Sequence, residues 1–218
     1  NKGGALGNLG RYQEAIACYD KALEINPRFA EAWINKGGAL GNLGRYQEAI
    51  ACCDKVLEIN PGYAEAWNNK GLSLGNLGRY QEAIACYDKA LEINPRFAEA
   101  WINRGVSLKK LGRYQEAVAC YDRALEINPR DAVAWSNKGG ALRSLGRYQE
   151  AIACCDKALE INPGDAGAWN NKGGALADLG RYEEALVCYK KFIELAPPQY
   201  APYVTIVEKI IRELEEMM

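Results

Sequence analysis

The stretch from Ala30 to Tyr63 reads AEAWINKGGALGNLGRYQEAIACCDKVLEINPGY, and near copies of it fill most of the 218-residue chain. Its tryptophan, Trp33, recurs every 34 residues, and the same step separates the copies of Gly37 and Pro61. A fixed period of this size indicates a repeat array rather than a single globular core. The tryptophans of the full copies are Trp33, Trp67, Trp101, Trp135 and Trp169.

Each copy predicts a helical hairpin. Numbered from its first residue, the stretch has Trp33, Gly37 and Leu40 at positions 4, 8 and 11, on one face of a first helix. Gly44 at position 15 suits the left-handed residue that ends a helix. A second helix follows and ends before Pro61, since proline cannot continue a helix. One hairpin cannot bury its apolar face alone, so we expect the copies to stack.

The copies also give the repeat boundaries. They predict a repeat array over residues 1–199, with a partial repeat at 1–29 and full repeats at 30–63, 64–97, 98–131, 132–165 and 166–199. The chain opens on residues that match positions 6 to 8, so we expect it to be a piece of a longer protein.

The recurring pattern W-x3-G-x2-L-x3-G-x-Y-x2-A-x3-[YC]-x2-[AV]-x4-P resembles the tetratricopeptide repeat family. The resemblance implies an all-α fold, a right-handed superhelical solenoid of antiparallel helix hairpins, and a role in binding proteins or peptides. Three features depart from the family pattern: position 7 is basic, the aromatic of position 24 is replaced by Cys53 and Cys155 in two copies, and Phe192 stands at position 27, where a small residue is expected. Phe192 therefore implies altered packing near the end of the array.

Residues 200–218 predict a C-terminal capping helix. Tyr203 lies 34 residues after Trp169, so this helix takes the first-helix slot of a seventh repeat, with Val207 in place of the packing glycine. A helix lying on a membrane surface is the alternative, but the acidic charge of the segment disfavours anionic lipid. The predicted apolar stripe consists of Tyr203, Ile206, Val207, Ile210, Leu214 and Met217.

Composition argues against several functions. The chain has no histidine, which removes histidine-based catalysis and histidine metal ligands. Its 27 basic and 28 acidic residues are the wrong balance for a nucleic-acid binder, and no apolar run is long enough to span a membrane. We therefore predict no enzyme activity, no catalytic residue, no metal, no cofactor, and no nucleic-acid or membrane partner.

The eight cysteines form two columns of the repeat rather than a disulfide framework. Equivalent residues on neighbouring helices lie about 8–10 Å apart, whereas a disulfide needs Cα atoms within about 7 Å. Free thiols predict a cytoplasmic location. The vicinal pair Cys52-Cys53 and its copy Cys154-Cys155 are interpreted as small, partly buried residues rather than as a metal or redox site.

Charge at two positions predicts ion pairs between repeats. Position 25 is aspartate in five copies and Lys190 in the last, while position 7 is basic. We expect each aspartate to pair with the basic residue of the next repeat, for example Asp54 with Lys70. A solvated charged face is the alternative.

Positions 2, 5, 6, 9 and 13 form the face of the first helix opposite its packing stripe, and the resemblance implies that this face lines a concave groove. Position 6 is asparagine in every copy. An asparagine amide donates and accepts, so it matches a peptide backbone whatever the side chains are. We therefore predict an asparagine ladder that holds an extended peptide; recent duplication and a local structural hydrogen bond remain alternatives. The ladder is Asn35, Asn69, Asn103, Asn137 and Asn171, with Asn1 in the partial repeat.

The basic residues of the fourth and fifth repeats predict that the later part of the groove accepts an acidic segment or a C-terminal carboxylate. A solvated patch without a partner is the alternative, as is a structural role in which the array self-associates through its ends or its concave face. The basic residues are Lys109, Lys110, Arg130 and Arg143, and the earlier repeats carry Glu31, Glu65 and Glu99.

Overall fold

The chain folds into consecutive α-helices, which confirms the predicted all-α fold with its 34-residue period. The computed structural model describes residues 2–216, so Asn1 of the asparagine column and Met217 of the apolar stripe lie outside the described residues. The described residues contain no strand. The helices are α1 Lys2–Asn8, α2 Tyr12–Ile25, α3 Ala30–Asn42, α4 Tyr46–Ile59, α5 Ala64–Asn76, α6 Tyr80–Ile93, α7 Ala98–Lys110, α8 Tyr114–Ile127, α9 Ala132–Ser144, α10 Tyr148–Ile161, α11 Ala166–Asp178, α12 Tyr182–Leu195 and α13 Ala201–Glu216, with a 3-10 turn at Pro198–Tyr200.

The helices form two compact units. The N-terminal unit holds α1 to α7 and ends at Leu111; the C-terminal unit starts at Gly112 and holds α8 to α13. Within each unit every helix packs against the next one in the chain. We call α1, α3, α5, α7, α9 and α11 the first helices and their successors, α2 to α12, the second helices. Neighbouring first helices also contact each other, α3 with α5, α5 with α7, and α9 with α11.

A glycine makes the turn from each first helix to the next segment. Gly44 has a φ of 74°, a left-handed conformation that side chains other than glycine rarely adopt. The turn is closed by the backbone N–H of Arg45, which donates to the carbonyl of Leu40 at 2.9 Å, as in a Schellman motif. The same positive φ recurs at Gly10, Gly78, Gly112, Gly146 and Gly180.

The tryptophan of each full repeat ties its first helix to the turn before it. Trp33 Nε1 donates to the carbonyl oxygen of Pro27 at 2.8 Å. The other four tryptophans make the same bond to the proline six residues earlier, at 2.9–3.0 Å. The repeated tryptophan and proline are therefore two halves of one contact.

The two helices of a hairpin approach closely at position 8, as the sequence predicts. A Cβ atom added to Gly71 would lie 2.6 Å from Cε1 of Tyr87, and one added to Gly139 would lie 3.1 Å from the carbonyl oxygen of Ala151. Both distances are shorter than an ordinary van der Waals contact. Glycine is needed here because it leaves room for the second helix.

The ion pairs predicted between repeats are present. Lys70 Nζ donates to Asp54 Oδ1 at 2.6 Å, and Lys70 also lies 5.7 Å from the centroid of the Trp67 ring. In the last repeat, where the aspartate is replaced, Lys190 Nζ bonds Glu215 Oε1 of α13 at 3.0 Å. The remaining pairs are Lys36–Asp20, Arg104–Asp88, Lys138–Asp122 and Lys172–Asp156, at 2.5–2.7 Å.

We expect the Asp54–Lys70 pair to stabilise the N-terminal unit by about 0.5–1 kcal/mol. The lysine side chain is only 23% exposed, but the aspartate is 45% exposed, so solvent screens much of the attraction. A double-mutant cycle with Asp54→Asn and Lys70→Gln, measured by urea denaturation, gives the coupling energy, which should shrink in 1 M salt.

The matched control is the Lys55–Glu58 pair, which lies on the surface of one helix with both side chains more than half exposed. Its coupling should be only about 0.2–0.5 kcal/mol. Equal coupling energies in the two cycles would show that a partly buried pair between two repeats is no stronger than an exposed pair within one helix.

One buried hydroxyl lacks a partner. The Tyr121 hydroxyl makes no hydrogen bond with any residue that the structure describes. The equivalent Tyr87 hydroxyl is hydrogen-bonded to Ser107, which holds position 10 of the following repeat. The residue at position 10 after Tyr121 is Ala141, so the partner is missing because serine is replaced by alanine.

We expect Ala141→Ser to raise the free energy of unfolding of the C-terminal unit by about 1 kcal/mol, because a buried hydroxyl gains a partner. Urea denaturation measures the change. In a Tyr121→Phe background the same serine has no hydroxyl to bind, so the gain should disappear. A gain that survives in that background would contradict the explanation.

The capping helix α13 packs through a narrower stripe than predicted. Val207, Ile211 and Leu214 are buried in one cluster with the fully buried Phe192 of α12. Tyr203 and Ile206 are instead 54% and 57% exposed. Ile211, which lies outside the predicted stripe, is buried. The altered packing expected at Phe192 is present, since its ring meets Tyr200 edge-on at 6.1 Å.

Candidate functional site

The N-terminal unit carries a groove that crosses three successive first helices. The groove has a volume of about 530 Å³ and contains Asn35 and Asn69 of the predicted ladder. We call it the asparagine groove. Its other lining residues are Gly4, Gly7 and Asn8 of α1, Tyr12 and Tyr19 of α2, Ile34, Gly38, Ala39 and Asn42 of α3, and Glu65 of α5.

A second hollow of about 260 Å³ shares Gly38, Asn42 and Asn69 with the asparagine groove. It adds Tyr46, the copy of Tyr12, from the next second helix. The polar lining is thus repeated from one hairpin to the next: an asparagine at position 6, an asparagine at position 13 and a tyrosine at position 17. Of these columns, only the position-6 asparagines were predicted to bind; the tyrosine of position 17 recurs in every copy, whereas position 13 is asparagine only at Asn8, Asn42 and Asn76.

The asparagine amides differ in what they bind. The side chains of Asn35 and Asn69 make no hydrogen bond with another described residue. Asn42 Nδ2 donates to the carbonyl of its own helix at Gly38, at 3.0 Å. The two position-6 amides of the groove are therefore the ones whose donors and acceptors are available to a ligand.

The half-buried Asn103 is hydrogen-bonded to a neighbouring first helix. Its Nδ2 donates to Asn68 Oδ1 at 3.1 Å, and Asn68 Nδ2 in turn donates to Glu99 Oε1 at 3.2 Å. Asn68 is only 1% exposed, so this chain of bonds satisfies a buried amide and joins α5 to α7. The local structural hydrogen bond that the sequence left open as an alternative is present at this position.

Position 5 of the predicted face is buried in four of the full copies, although Ile34 also lines the asparagine groove. Ile34, Asn68, Ile102 and Ser136 hold position 5 and are 1–9% exposed. Neighbouring first helices contact each other, and position 5 lies where they meet, as the Asn68–Asn103 bond shows. Differences between copies at this position therefore reflect packing between repeats.

The corresponding face of the C-terminal unit is filled by the protein's own side chains. Arg143 Nε donates to Asp178 Oδ2 at 2.7 Å, and the guanidinium lies so close over Gly174 that a Cβ there would be 2.2 Å from it. Asn171 Nδ2 donates to the carbonyl of Ser136 at 3.1 Å. Asn137 lies half-buried on α9. A ligand of this face has to compete with the Arg143–Asp178 pair.

The four predicted basic residues lie in different settings. Lys109 and Lys110 close α7 of the N-terminal unit, and burial, followed by the charge of Lys110, lowers the pKa of Lys109. Arg143 is ion-paired, and Arg130 is an exposed residue of the turn between α8 and α9. Only Lys109 and Lys110 therefore combine a first-helix position with the absence of an acidic partner among the described residues.

The cysteines are poorly suited to chemistry. All eight are free, and seven are buried. Burial raises the pKa of Cys53 and of Cys155 to about 12, so both thiols are protonated at neutral pH. Among residues 2–216, no three histidine, cysteine, aspartate or glutamate side chains are grouped to hold a metal ion. Helices of the described part are too short or too polar to cross a membrane.

Family models agree with this repeat geometry along nearly the whole chain. Models described as "Tetratricopeptide repeat" match residues 30–63, 64–97, 86–119, 103–166 and 139–218, and one described as "TPR repeat" matches residues 5–44. The chain belongs to the tetratricopeptide repeat family. The family supports a scaffold for protein interactions. No curated protein matches this tetratricopeptide repeat chain in sequence.

Solved structures of other tetratricopeptide repeat proteins share the fold. YrrB, described as a TPR protein with an unusual peptide-binding site, is 28% identical with a TM-score of 0.65, and the match covers 88% of this chain and 97% of YrrB. MamA is 25% identical with a TM-score of 0.66, covering 76% and 97%. A tetratricopeptide repeat protein from Parabacteroides merdae matches in fold alone, with 21% identity, a TM-score of 0.74 and coverage of 98% and 81%.

Proposed function

We propose that the chain is a non-catalytic interaction scaffold that binds an extended peptide in the asparagine groove. The observation that carries the proposal is the presence of Asn35 and Asn69 in one groove with side-chain amides that no described residue occupies. Each amide offers one acceptor and two donors to a peptide unit. Asn103 and Asn171 serve as ties between repeats, and Asn137 is the further rung in the C-terminal unit.

The charged residues of the N-terminal unit favour one orientation of the peptide along the groove. Glu65 is the one charged residue among those that line the asparagine groove, and Lys109 and Lys110 follow at the end of α7. A ligand that carries an acidic residue or its C-terminal carboxylate at the α7 end meets two ammonium groups there. In the C-terminal unit, Arg143 binds an acidic group of the ligand only if it leaves Asp178, whereas Arg130 is exposed.

The peptide-binding neighbour YrrB and the chemistry of the chain support this function over catalysis. The chain has no histidine, and its buried thiols are protonated. The eight free cysteines suit a reducing compartment, so we place the protein in the cytoplasm.

The test is selection of peptides from an unbiased library against the purified chain, followed by affinity measurements with Asn35→Ala/Asn69→Ala. Two lost hydrogen bonds of about 1 kcal/mol each correspond to about a 30-fold weaker affinity. Gln47→Ala removes an amide from the exposed surface of α4 and should leave the affinity unchanged. Failure to select any peptide, or equal affinities for the double variant and the unmodified chain, would contradict peptide binding in the asparagine groove.

Self-association is the second candidate function, favoured by the exposed Tyr203 and Ile206 of α13. Light scattering over a range of concentrations decides the matter, because a mass that stays at the monomer value contradicts assembly.

A further inference from the structure

The asparagine groove has the chemistry of a site for proline-rich peptides. We propose that its ligand is a segment in the polyproline II conformation; this rests on the proposed function and names the class of peptide. The groove contains Tyr12 and Tyr19, and the adjoining hollow contains Tyr46. Grooves lined by aromatic rings, with side chains that donate hydrogen bonds, bind polyproline II segments because that helix is already ordered before binding.

The spacing of the array favours this conformation over a β-strand. The groove crosses α1, α3 and α5, and first helices in contact are about 8–10 Å apart. A polyproline II helix repeats every three residues, about 9 Å, so it presents an equivalent residue to each successive hairpin. In a β-strand, side chains on one face are about 6.6 Å apart. This spacing does not match the distance between first helices, so equivalent side chains would not meet successive hairpins.

The hydrogen-bonding groups also fit a ligand rich in proline. Proline offers a carbonyl acceptor and no N–H. Asn35 Nδ2 and Asn69 Nδ2 are available donors, and the hydroxyls of Tyr12 and Tyr46 make no hydrogen bond with a described residue. The first two hairpins therefore each bring a ring for a proline to pack on, and Asn35, Asn69 and the two tyrosine hydroxyls supply donors for its carbonyl oxygens.

Charge restricts the ligand further. Glu65 is the one carboxylate among the residues that line the asparagine groove, and the adjoining hollow is lined by uncharged residues. The segment inside the groove is therefore neutral or carries a basic residue opposite Glu65. An acidic residue within the proline run is disfavoured by that carboxylate.

The experiment measures fluorescence polarisation of labelled dodecaproline against a labelled Gly-Ser dodecamer, with the full chain. We expect dodecaproline to bind at least tenfold more tightly. With proline peptides of six, nine and twelve residues, affinity should rise up to about nine residues, three for each of the three first helices. Tyr12→Phe and Tyr46→Phe keep the rings and should each weaken dodecaproline binding severalfold.

A matched pair of variants tests the site itself. Gly38 lines the groove, and a Cβ added there has no neighbouring atom within 4 Å, so we expect the ring of Gly38→Phe to occupy the groove and to abolish binding. Ala51→Phe adds the same ring to the exposed surface of α4 and should leave binding intact.

The outcomes separate the two proposals. If library-selected peptides without proline bind through Asn35 and Asn69 while dodecaproline does not bind, the polyproline class is wrong and the peptide scaffold stands. If neither dodecaproline nor any selected peptide binds, both proposals fail. Binding of dodecaproline that persists in Gly38→Phe overturns the assigned site.

Discussion

Replacing Gly71 by alanine is expected to lower the free energy of unfolding of the N-terminal unit by about 1–3 kcal/mol. In an open helix the same change stabilises by up to about 1 kcal/mol, because glycine loses more backbone freedom on folding. At Gly71 the added Cβ would lie 2.6–2.9 Å from three ring atoms of Tyr87. That ring is 1% exposed and its hydroxyl is bonded to Ser107, so it has no free space into which to move.

Two glycines of α3, Gly37 and Gly38, provide the controls for Gly71 of α5. A Cβ on Gly38 has no neighbour within 4 Å, so Gly38→Ala should raise the free energy of unfolding by about 0.5–1 kcal/mol. On Gly37 the nearest atom is Cys52 Cβ at 3.3 Å, so Gly37→Ala should fall between the other two. Urea denaturation followed by tryptophan fluorescence measures all three. If Gly71→Ala raises the free energy of unfolding, or if all three variants change it by the same amount, close approach of the two helices is not the reason for the glycine.

The fold was predictable because its causes act within about one period of the sequence. The positive φ of Gly44, the bond from Trp33 to Pro27 and the pairing of Asp54 with Lys70 each involve residues at fixed offsets in the repeat. Six near copies then remove the ambiguity that a single helix hairpin would leave. The same offsets recur in both units.

The candidate site was predictable only in part, because it depends on contacts between copies. A helical wheel drawn for one repeat places Asn68 on an open face, whereas the neighbouring first helix covers it. The Arg143–Asp178 pair joins residues 35 apart and exists only where position 12 is arginine and position 13 of the next copy is aspartate. Tyr12 and Tyr46 hold the same position of the repeat, but their places in the groove and in the adjoining hollow depend on how the helices pack.

The largest change in stability is expected from Val207→Asp in the capping helix. Val207 is 3% exposed and packs in the cluster that also holds Phe192 and Leu214. A carboxylate there is buried without a cation or a donor to accept from, which costs about 3 kcal/mol or more. Because α12 is the helix that α13 contacts most, we expect the variant helix to detach and to leave Phe192 exposed.

Ile206→Asp is the matched control, since Ile206 precedes Val207 on the same helix and is 57% exposed. Its carboxylate remains in water, so stability should change by no more than about 0.5 kcal/mol. Limited proteolysis and hydrogen exchange of α13 measure the detachment directly, and urea denaturation measures its cost to the C-terminal unit. If both variants keep α13 protected, Val207 does not anchor the cap. If both release it, the stripe predicted from the sequence, which places Ile206 on the buried side, describes the helix better than the observed packing through Val207, Ile211 and Leu214.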